Sequence, residues 1–200
     1  MYKRQAKVPY GTWIIREIES PKGYVLSEEE IAVTIGKVDE VVEIELVNYF
    51  IKGNIALTKV DEDYPDNKLS GAVFEVYSDT NGDGKLDKDD TLLGEMKELD
   101  GGVYQMSELR YGKYLVKETK APTGFVLDEN VYSVSVEENG KTYTVENKAG
   151  VGFINAAQKG SLKIVKTSSD GKVEGFSFRV TGVDLSLIHI SEPTRLALIS

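Results

Sequence analysis

The sequence predicts an all-β protein built as β-sandwiches in tandem, and three observations predict it. Apolar residues alternate with polar ones over short runs, for example Ile55, Leu57 and Lys59, or Ala72, Phe74 and Val76, as strand side chains do. No segment sustains the 3.6-residue period of an amphipathic helix. A unit of about a hundred residues, the size of an ordinary small domain, recurs along the 200-residue chain.

Two blocks reveal the repeat. YGTWIIREIESPKGY, Tyr10 to Tyr24, returns as YGKYLVKETKAPTGF, Tyr111 to Phe125. In each, a glutamate (Glu17, Glu118) is in phase with inward apolar residues and precedes a Pro-x-Gly turn. NYFIKGNIALTKVD from Asn48 returns as NAAQKGSLKIVKTS from Asn155. The glutamates lie 101 residues apart and the asparagines 107, a difference that loops absorb. Residues 1–52 are then the C-terminal part of a first unit, 53–159 a complete unit, and 160–184 the opening strands of a third. Residues 185–200 look foreign. LSLIHISEPTR reads as the translation of a sequencing-library adapter, so this tail is set aside from fold reasoning, together with the single histidine, His189.

Within the complete unit the expected strands are Ile55 to Val60, Ala72 to Tyr77, Leu92 to Met96, Gly102 to Met106, Tyr114 to Glu118, Val131 to Val136, Thr142 to Val145 and Gly152 to Ala156. Asp61 to Lys68 is a loop around Pro65, and Asn139-Gly140 is a hairpin turn. So many short strands in a hundred residues suggest a sandwich.

Composition narrows the function. A net charge of -9 argues against nucleic acid, and the absence of cysteine removes disulfides and thiolate metal sites. No run is long and apolar enough to span a membrane. The N-terminal MYKRQAKVPYG lacks the apolar stretch of a signal peptide.

Three polar residues break the inward apolar pattern: Lys59, Glu118 and Asn155 each follow in-phase apolar residues on a strand. The partial units repeat them as Lys166, Glu17 and Asn48. One such lysine is ordinarily a strand-end residue that snorkels to solvent; three types in register suggest chemistry. Burial favours a neutral amine, which is a nucleophile, and a protonated carboxyl, which polarises an amide and relays protons. Together the three can form a Lys–Asn isopeptide bond with loss of ammonia.

GNIALTKVD, LSGAVFEVY, LRYGKYLVKETKAPTGFVLD and FINAAQKG resemble a Cna-B-type (SpaA-like, prealbumin-like) domain of Gram-positive surface adhesins and pilins. The resemblance runs from Met1 to about Asp184 and implies inverse immunoglobulin-like sandwiches, one complete and two partial. It implies a bond from Lys59 to Asn155 assisted by Glu118, a cell-wall location with leader and anchor outside this sequence, and neighbouring repeats as partners. Asn147 in TVENKAG is a rival acceptor, disfavoured because the first copy has no counterpart. Glu17 and Asn48 lack an upstream lysine and Lys166 a downstream glutamate, so neither partial unit is expected to form a bond.

SDTNGDGKLDKDD, Ser78 to Asp90, resembles a calcium loop. Asp79, Asn81 and Asp83 alternate, Lys85 offers a backbone carbonyl, and Asp90 stands at position twelve. Asp replaces the usual closing Glu, and the flanks read as strands, so a solvated acidic turn is the alternative. Calcium affinity of roughly 10⁻⁴–10⁻³ M is expected. In YPDNK, Asp66 stands where a pilin-type linking lysine would be, which favours a plain turn. The expected role is a structural stalk; the alternative is a calcium-dependent binding module for a host protein or glycan. An enzyme acting on an external substrate is the weakest reading, since no metal triad, histidine-based nucleophile or phosphate loop is visible.

Overall fold

The computed structural model describes residues 6–169 together with Gly171 and Phe178. Among these residues every regular element is a strand, and no helix is long and apolar enough to cross a membrane. The adapter-like tail with His189, and GFSFRVTG apart from Phe178, lie outside the described residues.

The first unit contributes a two-stranded antiparallel sheet, β1 (Gly11–Arg16) on β2 (Glu30–Ile35). The complete unit is a sandwich. Its first sheet centres on β3 (Lys52–Asp61), which pairs with β7 (Val103–Arg110), itself paired with β6 (Lys97–Asp100). Along its other edge β3 carries two short parallel strands: β10 (Thr142–Thr144) beside its first half and β11 (Phe153–Asn155) beside its second. The opposing sheet runs β5 (Thr91–Glu95), β4 (Val73–Ser78), β8 (Gly112–Lys120), β9 (Val131–Val136).

Alternation decides the core. Ile55, Leu57 and Lys59 of β3 are buried while Asn54, Ala56 and Thr58 are only half-buried, and Phe74 and Val76 answer from β4. Phe74 meets Tyr104 and Phe153 edge-on, at ring separations of 5.1 and 4.9 Å, the arrangement that aromatic quadrupoles favour. Tyr114, Val116 and Val136 complete the layer between the sheets.

Three expectations need correction, and one strand is unforeseen. The strands flanking Asn139-Gly140 do not pair as a hairpin: β9 joins β8, whereas β10 joins β3. The turn carries the chain across the sandwich because Lys52 captures it, its N–H donating to Asn139 Oδ1 and its carbonyl accepting from Gly140. After β5 and Met96 the chain crosses to the first sheet as β6, which carries no buried side chain and so no alternation to read. The strand expected around Asn48 is absent, because it has no counterpart of β3 to pair with, and an unpaired strand leaves its ladder groups unsatisfied. Residues 160–169 form no strand either, and Leu162 and Ile164 are exposed.

Phe74 is fully buried against two rings. Phe74→Ala should cost the complete unit about 3–5 kcal/mol, read from urea unfolding of residues 53–159; a loss below 1 kcal/mol, on the order of an exposed site, would contradict this core.

Candidate functional site

The first and last strands of the sandwich lie side by side, and that adjacency builds the site. Parallel pairing sets Phe153 opposite Lys59 and Asn155 opposite Asp61. From the facing sheet, β8 presents Glu118, opposite Phe74 of β4. Lys59 and Glu118 have no exposed surface and Asn155 is 3% exposed.

Glu118 is the hub. Asn155 Nδ2 donates to both of its carboxylate oxygens at 2.9 Å, and the backbone N–H of Asp128 donates to Oε2 at 2.8 Å. Lys59 Nζ lies 3.7 Å from Oε1, donates to the Phe153 carbonyl at 3.1 Å, and stands 4.9 Å from the centre of the Phe153 ring. Asn155 Oδ1 is buried without a hydrogen-bond partner among the described residues. Such an orphan costs about 1–3 kcal/mol and calls for a reason.

Burial sets the protonation states. It lowers the Lys59 amine from 10.5 to about 8, against the opposing pull of the Glu118 and Asp128 charges. It raises the Glu118 carboxyl, outweighing the hydrogen bonds from Asp128 and Asn155 and the charge of Lys59. Both shifts favour the uncharged pair, a nucleophilic amine beside a proton-carrying acid.

The structure brings Lys59, Glu118 and Asn155 together and gives Asn147 different work. Asn147 pairs like a strand residue with Ile154, accepting from its N–H at 2.6 Å and donating to its carbonyl at 2.9 Å. It also donates to Asp128 Oδ2 at 2.8 Å, so it anchors β11 next to Asn155. Asp128 escaped the sequence reading. Burial works against its charge, but hydrogen bonds from Tyr132, Asn147 and Asn130 hold its carboxyl below the usual range. Spacing could have found it: Asp128 follows Glu118 by ten residues, as Ser27 follows Glu17, and each donates its N–H to that glutamate.

The first unit holds the same pair without the amine. Asn48 Nδ2 donates to both oxygens of Glu17, at 2.8 and 2.7 Å, and both residues are half-buried. Lys166 is exposed, its Nζ donating to the Thr167 carbonyl at 3.0 Å.

The acidic loop lies against the outer face of β8 and β9, with Gly82 near Lys113 and Gly84 near Ser133. Asp79, 6% exposed, accepts from the N–H groups of Gly82 and Gly84. Asn81 accepts from Asp83, and Asp83 from Lys85; Asp90 accepts from Thr80 and Asp87. The side chains thus serve backbone amides, and among the described residues no three Asp, Glu or His side chains form a group suited to a metal ion. Asp66 sits in a turn closed by the Asn67 N–H on the Tyr64 carbonyl.

The family model described as SpaA, prealbumin-like fold domain, matches residues 3–49 and again 53–149. Among solved structures, the Bacillus anthracis TIE protein is similar at 30% identity and a TM-score of 0.60, over 75% of this chain and 26% of that one. The T6 backbone pilin of Streptococcus pyogenes is similar at 28% identity and a TM-score of 0.35, over 44% of this chain and 17% of its own. GBS52, the minor pilin of Streptococcus agalactiae, is similar at 22% and 0.41, over 80% and 66%. The chain therefore spans about a quarter of the length of the TIE protein. No curated protein matches. With both matched stretches together covering most of its length, the chain belongs to the family of SpaA prealbumin-like fold domains.

Proposed function

We propose that this chain is a stalk segment of a Gram-positive cell-surface adhesin or pilin, locked by a self-formed bond between Lys59 and Asn155. One observation carries the reading: Glu118, fully buried, touches both the amine and the amide. Family membership and the sequence resemblance support the surface setting, with neighbouring repeats as partners, a host ligand as a further one, and attachment to the cell wall.

The chemistry follows from the geometry. Lys59 passes a proton to Glu118 and becomes a neutral amine. A half turn of the Asn155 amide exchanges its two end atoms, so that protonated Glu118 donates to Oδ1 and polarises the carbonyl. Nζ attacks Cγ; the Nζ–Cγ bond forms and the Cγ–Nδ2 bond breaks. Glu118 delivers its proton to Nδ2, which leaves as ammonia, and takes one proton from Nζ, which keeps the other as the amide N–H. The acid is restored, and the reaction runs once, on the chain itself. Holding amine and amide in one dry core replaces an external catalyst. The closed loop of nearly a hundred residues stabilises the fold by roughly 4–5 kcal/mol on the chain-entropy account of cross-links.

We further propose that the loop from Asp79 to Asp90 binds calcium. Supporting this, each carboxylate oxygen that accepts one amide keeps a second lone pair. Asp79, Asn81 and Asp83 need only turn inward, with the Lys85 carbonyl and Asp90 completing the set. A bound cation would neutralise a stretch that carries five aspartates. It would also fix a loop that a host protein or glycan could then engage.

Three measurements test these readings. Purified residues 53–159 should be lighter than their sequence by one ammonia, with Lys59 and Asn155 in one branched peptide; Glu118→Ala should restore the unmodified mass. A cross-link that survives Glu118→Ala removes the assigned role. In Asn155→Ala, where no bond can form, the folded state binds fewer protons at Lys59 than the unfolded state between pH 8 and 10.5. Stability should therefore rise with pH through that window relative to Lys59→Met,Asn155→Ala; equal slopes would place a charged lysine in the fold. Finally, millimolar calcium should raise the melting temperature of residues 53–159 but not of the Asp79→Ala variant, and no shift in either would remove the metal.

A further inference from the structure

Two successive domains ordinarily move against each other unless something ties them. Here the first unit closes with the bridge between Tyr24 and Phe50, and β3 of the second opens at Lys52. Ile51 alone lies between, and both of its backbone groups are engaged. Its N–H donates to the Gly23 carbonyl of the first unit at 2.9 Å, and its carbonyl accepts from Tyr111 N–H of the second at 3.0 Å.

Side chains flank this rung on both sides. The Arg110 guanidinium lies 4.0 Å from the centre of the Phe50 ring, which rests on Tyr24 at 4.7 Å. Lys22 Nζ stands 5.4 Å from the centre of the Tyr111 ring. Gly23, the last residue of the Ser-Pro-Lys-Gly turn, has φ +87, which favours glycine, and a Cβ there would already touch Tyr111 at 3.5 Å.

The far end of the second unit is wired the same way. Phe125 N–H donates to Pro122 as Tyr24 does to Pro21, both at 3.1 Å. Val126 donates to Ala156 as Val25 does to Tyr49, and Gln158 to Gly124 as Ile51 does to Gly23. The Phe125–Ala157 bridge repeats Tyr24–Phe50. At the other end, Tyr10-Gly11 corresponds to Tyr111-Gly112, and Tyr10 is 62% exposed.

We propose that the Pro-x-Gly turn of one unit and the Tyr-Gly corner of the next form a docking joint that fixes the angle between successive units. Tyr10 and the Pro122–Gly124 turn are the two halves of that joint that meet no counterpart among the described residues, and the partner that fits each is another unit of the same repeat. The idea deepens the stalk reading and rests on it for its purpose, but not on the cross-link.

The test uses the 200-residue chain, whose lack of cysteine allows clean nitroxide labelling. Cysteines replace the exposed Lys37 and Glu137, one in each unit, and pulsed dipolar spectroscopy reads their separation. The parent and Tyr111→Phe should give one narrow distance distribution, and Arg110→Ala,Tyr111→Ala should lose it. A pair at Lys88 and Glu137, within the second unit, should stay narrow throughout. If that internal pair also broadens, Lys22→Ala,Phe50→Ala breaks the joint from the first unit's side and should give the same loss. A broad parent distribution, or a narrow one with both sides of the joint removed, overturns the proposal. Intact mass on the same samples reads the ammonia loss, so a stiff chain without the bond, or a bonded chain with a loose joint, separates the two ideas.

Discussion

A carboxylate with no exposed surface is the constraint around which the complete unit is arranged. Glu118 sits at the end of a run of buried residues on β8, opposite Phe74 of β4 and 3.7 Å from Lys59 Nζ. An ionised carboxylate there would be costly without partners. The fold supplies them from three places in the chain: an amide from the last strand, an amine from the first, and a backbone N–H from the loop after the Pro-x-Gly turn. Each partner requires the others' strands to be in place. The same residue therefore ties together the sheet order, the parallel contact of β3 with β11, and the proton balance of the site.

Asp128 and Asn147 show how far that constraint reaches. Neither touches Lys59 by a hydrogen bond, yet Asn147 holds Ile154 through both backbone groups and leans on Asp128, whose own N–H serves Glu118. β11 is only three residues long. So short a strand gains little from its ladder alone, and this side-chain clamp substitutes for the missing rungs.

How much of this was legible follows from what kind of signal each feature leaves. Alternation marked β3, β4 and β8, because their inward residues are large and buried. The repeat marked Lys59, Glu118 and Asn155, because three polar residues recurring in register stand out against apolar neighbours. β6 left no trace, since all four of its residues are exposed. The exchange of sheets at Asn139-Gly140 was invisible because a turn signal states that the chain reverses, not which neighbour it meets. Asn48 shows the opposite case: it repeats Asn155 in register, but a strand also needs a partner, and pattern alone does not carry one.

The placement of β11 against β3 has a mechanical meaning for a chain that enters at Lys52 and leaves beyond Asn155. The two strands run parallel, so tension pulls the first from its beginning and the last from its end, in opposite directions along their common axis. Such loading shears the rungs of the ladder together rather than peeling them apart one after another. β10 lies parallel to β3 as well and shares the load over its first half. The geometry thus resists shear through its ladder alone, and Lys59 and Asn155 sit at the end of the ladder where slippage would be felt first.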